Sequence, residues 1–369
     1  MESALQLVSW ETCLLEPVPD RELEAYARRK FGMPYPLIRY FTAVPWVAHA
    51  MLDLHPEFGL LTRIDQQMSD LVSMVVSQGN SCRFCYAAFR MLLWSQGMSP
   101  ARIQKIEFDL SRADLEPRTL AAIAFGRSQS RNGPAGAREA RRSLLEAGFD
   151  EGELREVAYA AGATDFSNRL HTIPAIPATP IERMPQQWHM RLMRPLIGRL
   201  LARARFRGAP QPPPEPPSHP YGRLVMAFAG SPIAPAFART FDEMWSSPLL
   251  PRRAKLLMFA IVARGLDCRL FNDELRQALI DEGLPGAAQD QVLTHLDAPQ
   301  LDTLERMIVP FARETIWYEP AAVQRRARSL RERLSAAQCL EAIGVSSLAN
   351  SVCRMSASVL PEPRAMADA

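Results

Sequence analysis

The chain has 369 residues, 47% hydrophobic and 22% charged, with a formal net charge of +3. That length suggests two domains with sizeable cores, and so small a charge with no nucleic-acid motif speaks against a nucleic-acid binder. Residues 1–6 lack a basic segment followed by an apolar run, and no apolar stretch reaches the roughly 18–20 residues that span a bilayer. The expectation is therefore a cytoplasmic chain without an integral membrane segment.

The six cysteines are scattered except for one pair, which is not a disulfide framework. Residues 19–29 (PDRELEAYARR) predict a helix with Asp20 at its start, and a second, apolar helix spans 36–54 with His49 and His55 near its end. Over 65–77, Leu71, Val72, Val75 and Val76 recur at helical spacing, while Asp70, Ser73 and Ser77 share another face. A Gly79-Asn80-Ser81 turn follows, then Cys82-Arg83-Phe84-Cys85 opening a helix that stops near Gly97. Asn80 or Ser81 is expected to cap that helix, with Cys82 in its first turn and Cys85 one turn on. The positive end of a helix stabilises a thiolate, so Cys82 is expected to ionise first, and two neighbouring thiols form a reversible disulfide.

Further helices are predicted from Pro100, over 115–129, 138–146 and 151–162, with a loop at 133–136. Strand signals are nearly absent, so the fold class is all-α. Pro174, Pro177 and Pro180 then break regular structure. An Arg-rich segment over 188–207, interrupted by Pro195, leads to a stiff Pro-rich stretch at 210–220 (PQPPPEPPSHP). It reads as a solvated connector.

The second half repeats the first. Cys82-Arg83-Phe84 returns as Cys268-Arg269-Leu270, an offset of 268 − 82 = 186. Gly79, Gly97, Leu115, Phe125 and Arg127 match Gly265, Gly283, Leu301, Phe311 and Arg313 at that offset. Asn168-Arg169-Leu170 falls against Cys353-Arg354-Met355 one residue sooner. The predicted organisation is a first helical repeat at 1–180, a basic and Pro-rich linker at 181–220, a second repeat at 221–360 and a disordered tail at 361–369. In the second copy Asp70, Ser73, Ser77 and Cys85 become Leu256, Phe259, Ala263 and Phe271. Buried polar atoms cost free energy unless paired or used, so the first copy is expected to keep a pocket that the second has filled. Cys13, Cys268, Cys339 and Cys353 read as ordinary core residues.

An acidic residue followed about twelve positions later by a CxxC at a helix start, with a later Asn168-Arg169-Leu170 segment, resembles the alkylhydroperoxidase D-like, carboxymuconolactone decarboxylase superfamily. The resemblance covers most of the chain twice and implies an all-α fold of two such repeats. It further implies thiol peroxidase or disulfide reductase activity, with Cys82 and Cys85 cycling between dithiol and disulfide. Asp70 would stand in the family's acidic relay position. The implied partners are a hydroperoxide or disulfide substrate, an external thiol reductant and further copies of the chain as a homo-oligomer, with no cofactor and no metal. The sequence departs from the pattern at both relay positions, with Asp70 one methylene shorter than the family's Glu and Phe89 where the family's relay histidine would stand, and nothing in it places His49, His55 or His171 near the pair. Two other readings are a helical protein binding a ligand or partner in a degenerate site, and a decarboxylase-like lyase.

Overall fold

The computed structural model describes residues 5, 10–31, 34–56, 59–108, 114–177, 187–204, 209–212, 214–215 and 219–360. The predicted tail at 361–369 lies outside the described residues, as does part of the Pro-rich stretch. Among the described residues the chain is all-helical, without a strand. The helices are α1 (Arg21–Phe31), a 3-10 turn (Pro36–Tyr40), α2 (Pro45–Asp53), α3 (Gln66–Gly79), α4 (Arg83–Ser95), α5 (Pro100–Phe108), α6 (Pro117–Arg131), α7 (Gly133–Glu146) and α8 (Glu151–Thr172). They continue with α9 (Trp188–Ala204), α10 (Gly222–Ala227), α11 (Ile233–Ser246), α12 (Arg252–Gly265), α13 (Asn272–Asp281), α14 (Gly286–His295), α15 (Thr303–Glu314), α16 (Pro320–Arg331) and α17 (Ala336–Val359).

Local chemistry sets most of these boundaries. Asp20 accepts from the backbone of Glu22 and Leu23 at the start of α1, and Asp65 accepts from Met68 at the start of α3. Asp150 with Glu153, Asp302 with Glu305, and Ser335 with Gln338 form reciprocal capping boxes on α8, α15 and α17. Several expectations shift. The predicted helix over 36–54 splits, because Val44 precedes Pro45 and takes an extended conformation that only permits a fresh start. The predicted loop at 133–136 belongs to α7, whose first turn tolerates Pro134. The helix predicted to end at 162 runs on to Thr172. Within 188–207, Trp188–Ala204 is a helix, α9. Arg194 ties it to α4 by donating to the Trp94 carbonyl at 2.8 Å.

The centre of the molecule is the pair α8 and α17, nearly every residue of which is buried from Val157 and Cys339 onward. A helix apolar or small on all sides belongs in a core. Ser351 donates to the Gly162 carbonyl at 2.7 Å. Gly344 lets α17 approach α2 closely, since a Cβ there would lie 2.6 Å from Val47 and 2.9 Å from the Trp46 ring. Trp46 Nε1 donates to Glu341 at 3.0 Å. Glu341 also faces Lys255 of α12 at 3.4 Å, and both side chains are fully buried. Lys255 satisfies its remaining protons on the Met244 and Ser247 carbonyls.

Four pairs of helices in the two halves start at nearly the same separation, whereas α2 and α11 (233 − 45 = 188), α4 and α13 (272 − 83 = 189) and α7 and α16 (320 − 133 = 187) do not. α3 and α12 are each fourteen residues long and begin at 66 and 252, a separation of 252 − 66 = 186. α5 and α14 begin at 100 and 286, and α6 and α15 at 117 and 303. α8 and α17 begin at 151 and 336, one residue closer.

Candidate functional site

The α3–α4 turn brings the cysteine pair into the core. α3 ends with Asn80, and Ser81 takes a left-handed conformation with φ of 53°. Ser81 N–H then donates to the Gln78 carbonyl at 3.1 Å and Cys82 N–H to the Ser77 carbonyl at 3.0 Å. This double closure is the usual way a helix satisfies its last carbonyls. It is repeated beyond α12, where Asp267 has φ of 54° and Cys268 N–H donates to the Ala263 carbonyl.

The expected cap by Asn80 or Ser81 is therefore corrected. Ser81 is committed to closing α3, and the Asn80 amide donates instead to Asp165 of α8 at 3.0 Å. Cys82 itself holds the N-cap position of α4 and makes no side-chain cap bond, and Cys85 is the third helical residue. Both thiols are buried, Cys82 at 0% and Cys85 at 4% exposure.

The residue that completes the group is His171, near the end of α8. Its Nδ1 lies 3.8 Å from Cys85 Sγ and 2.8 Å from the Ser167 carbonyl oxygen. A carbonyl only accepts, so the proton sits on Nδ1. Nε2 then accepts from the Tyr35 hydroxyl at 3.4 Å. Ser167 Oγ is a further neighbour of Cys85 Sγ at 3.7 Å. Phe84 stacks on the imidazole at 5.0 Å between ring centroids, and Phe41 meets it edge-on at 5.8 Å.

Burial sets the electrostatics. It lowers the His171 pKa to about 4, against the opposing hydrogen bond to Ser167, so the ring is neutral near pH 7. Burial, followed by the neighbouring Cys82, pushes the Cys85 thiol well above its ordinary range, while Ser167 works the other way. The Tyr35 and Tyr318 hydroxyls are also driven up, mainly by burial and then by the nearby thiols. One ligand atom from each of Cys82, Cys85 and His171 lies within 4.8 Å of the other two. Three such soft and borderline donors are a partial metal site; a structural zinc site takes four.

Asp70 is placed differently. Its buried carboxyl accepts a hydrogen bond from Gln96, at the C-terminal end of α4. Gln96 lies eleven residues beyond Cys85 (96 − 85), about 16 Å along the helix axis. Burial raises the Asp70 pKa well above the usual carboxylate range, with Gln96 opposing. The rest of that polar face is used for packing. Ser73 accepts from Thr164 at 2.9 Å, and Ser77 donates to Asn168 at 3.1 Å, which pins α3 to α8. The serine face expected to line a pocket is a helix–helix seam. Phe89 is buried and stacks on His55 at 6.3 Å.

The second half holds a thiol pair made of two cysteines expected to be ordinary core residues. Cys268 and Cys353 hydrogen-bond to each other, and Cys353 Sγ also lies 3.3 Å from the Tyr221 hydroxyl. The hydrogen bond from Cys353 draws the Cys268 pKa down against the effect of burial, and burial pushes Cys353 up. The partner of Cys268 comes from α17, 85 residues later (353 − 268).

Comparison with protein-family models, with curated proteins and with solved structures finds no match to this chain.

Proposed function

We propose that this chain is a thiol-dependent oxidoreductase of the alkylhydroperoxidase D-like kind, built from two copies of one helical unit, with Cys82 and Cys85 as its redox pair. The observation that carries the reading is the convergence of Cys82, Cys85 and a neutral His171 on one buried point. The shared separation of α3/α12, α5/α14 and α6/α15 and the repeated turn before Cys82 and Cys268 support the duplication.

Cys85 is held protonated by burial and by its neighbour, while Cys82 stands at the positive end of α4. Cys82 is therefore the attacking sulfur. Its thiolate attacks the terminal oxygen of a hydroperoxide: an S–O bond forms as the O–O bond breaks, the alkoxide leaves and takes a proton from solvent, and Cys82 becomes a sulfenic acid. The Cys85 sulfur then attacks the Cys82 sulfur, water leaves and the disulfide forms. The Ser167 hydroxyl lies where it stabilises charge on Cys85 as its proton departs, and the His171 Nδ1–H, shared with the Ser167 carbonyl, adds its dipole from 3.8 Å. An external dithiol restores both thiols by exchange. The near-complete burial of both sulfurs favours a small hydroperoxide over a bulky disulfide as oxidant.

The test is peroxide consumption in the presence of a dithiol reductant. Cys82→Ser is expected to abolish turnover, and Cys85→Ser to stop after one cycle with a trappable sulfenic acid. Parent-level turnover by both variants would falsify the reading.

A second reading has one specific observation behind it. The Cys82, Cys85 and His171 donors would also seat a zinc-like ion, with Ser167 or a water as the fourth ligand. Stoichiometric metal in the purified protein, together with thiols that resist disulfide formation until a chelator is added, would replace the redox proposal with this one.

A further inference from the structure

A separate pocket opens between the two halves of the chain. It has a volume of about 270 Å³, and its lining includes Asn80, Ser130, Arg131, Arg169, Trp317 and Arg354. Its floor is unusual for a protein interior. Arg169 is fully buried and Arg354 is 3% exposed. Arg131 lies in the lining with them, while Trp317, 59% exposed, stands at the mouth.

Too little negative charge sits nearby to balance these cations. Arg169 pairs with Asp165 at 2.5 Å. That same oxygen, Oδ1 of Asp165, also accepts from Asn80 and Ser130. Among the described residues Arg131 and Arg354 form no ion pair. Arg354 spends Nη2 on the Ile316 carbonyl at 3.1 Å, and its buried Nε and Nη1 have no protein acceptor. Arg169 Nε is likewise buried and unmatched. Burial and the Arg169 charge lower the Arg354 pKa to about 10, which still leaves it charged near neutral pH. Arg131, by contrast, is exposed to solvent and forms part of the rim rather than the floor.

Unmatched buried guanidinium donors are costly, and an anion that takes them in parallel pairs removes the cost. Three guanidinium groups against one carboxylate leave two positive charges. We propose that this pocket binds a phosphate-class dianion, either free or as the terminal group of a small molecule. The free N–H groups of Arg354 and Arg169 grip it from the floor, and Arg131 closes on it from the side. The pocket is at the small end for ligand sites, which suits one such group better than an extended molecule. The proposal does not depend on the thiol chemistry.

The experiment is calorimetric titration of the full chain with inorganic phosphate near neutral pH, backed by thermal melts in phosphate, sulfate, acetate and chloride at matched ionic strength. One phosphate per chain is expected, with a higher Tm in phosphate and sulfate than in chloride. Arg131→Gln is expected to weaken phosphate binding about tenfold, the loss of one charge-assisted contact. Arg354→Lys is expected to weaken it further; if that variant does not fold, Arg131→Gln decides alone. A phosphate effect no larger than that of chloride overturns the site. So does full affinity in Arg131→Gln, and acetate binding as tightly as phosphate overturns the dianion assignment.

Discussion

Nδ1 of His171 lies 3.8 Å from the sulfur of Cys85, although the two residues are 86 positions apart in the chain (171 − 85). This contact makes His171 the group whose removal is most informative. His171→Phe keeps the aromatic packing against Phe84 and Phe41 but deletes the Nδ1–H. A general acid–base or charge-stabilising group of this kind is worth about 10²–10⁴-fold. Peroxide turnover in the variant is expected to fall at least to the lower bound of that range, with the fold intact by circular dichroism. A loss of less than about threefold would remove His171 from the chemistry.

The same histidine makes stability depend on pH. Its folded pKa of about 4 lies below the ordinary 6.5, so the unfolded chain binds a proton that the folded chain refuses. Stability from this group is fully present above 6.5 and is lost as pH falls from there toward 4. Two and a half units correspond to roughly 3 kcal/mol at most. Urea melts across that window should show the slope in the parent and a shallower one in His171→Phe.

Thiol labelling distinguishes the two sulfurs. Burial and Cys82 hold the Cys85 proton in place, so Cys85 should alkylate slowly at neutral pH and faster as pH rises. In Cys82→Ser the neighbouring sulfur is gone, and Cys85 should react at lower pH than in the parent. Mass spectrometry of each cysteine-containing peptide checks both. The pair in the other half provides a control: mild oxidation of Cys82→Ser/Cys85→Ser should yield one disulfide, joining Cys268 and Cys353. Recovery of both thiols free would show them to be only packed together.

Lys255 and Glu341 form an ion pair with no exposure on either side. Lys255→Met leaves the Glu341 carboxylate buried without its cation, which is expected to cost about 3–5 kcal/mol. Equilibrium denaturation measures it. Substituting Lys255→Met together with Glu341→Leu should recover much of the loss.

Gly344 tests how tightly α17 meets α2. A methyl group there would press on the stiff Trp46 ring, so Gly344→Ala should destabilise by about 1–3 kcal/mol by overpacking. Gly148 offers the contrast in space, since nothing lies within 4 Å of a Cβ there, though its φ of 83° carries its own strain.

What could be read along the chain was local. Asp20, Asp65 and the apolar rows of α3 announced helices, and the CxxC announced where sulfur chemistry would lie. Contacts between distant segments were not readable in the same way. Phe89 occupies the position where a relay histidine was sought, and nothing local shows that α8 continues ten residues past Gly162 (172 − 162) to bring His171 over Cys85. Ser73 and Ser77 were visibly polar, but a polar face does not say whether it meets a pocket or another helix; here it meets Thr164 and Asn168. Cys268 looked solitary because its partner comes from α17. The arginine cluster was hidden for the same reason, since Arg131, Arg169 and Arg354 come from three separate helices or their ends.

Tyr318, from the trailing half, donates to the Asn168 carbonyl of α8 at 3.0 Å, and its ring lies under the Arg169 guanidinium at 4.4 Å. The leading half therefore borrows a wall from the trailing one. A protease nick between α9 and α10 should leave two fragments still clasped on a sizing column. A gene trimmed to the leading portion alone should give a product that clumps, or that recruits a twin of itself to stand where Tyr318 stood.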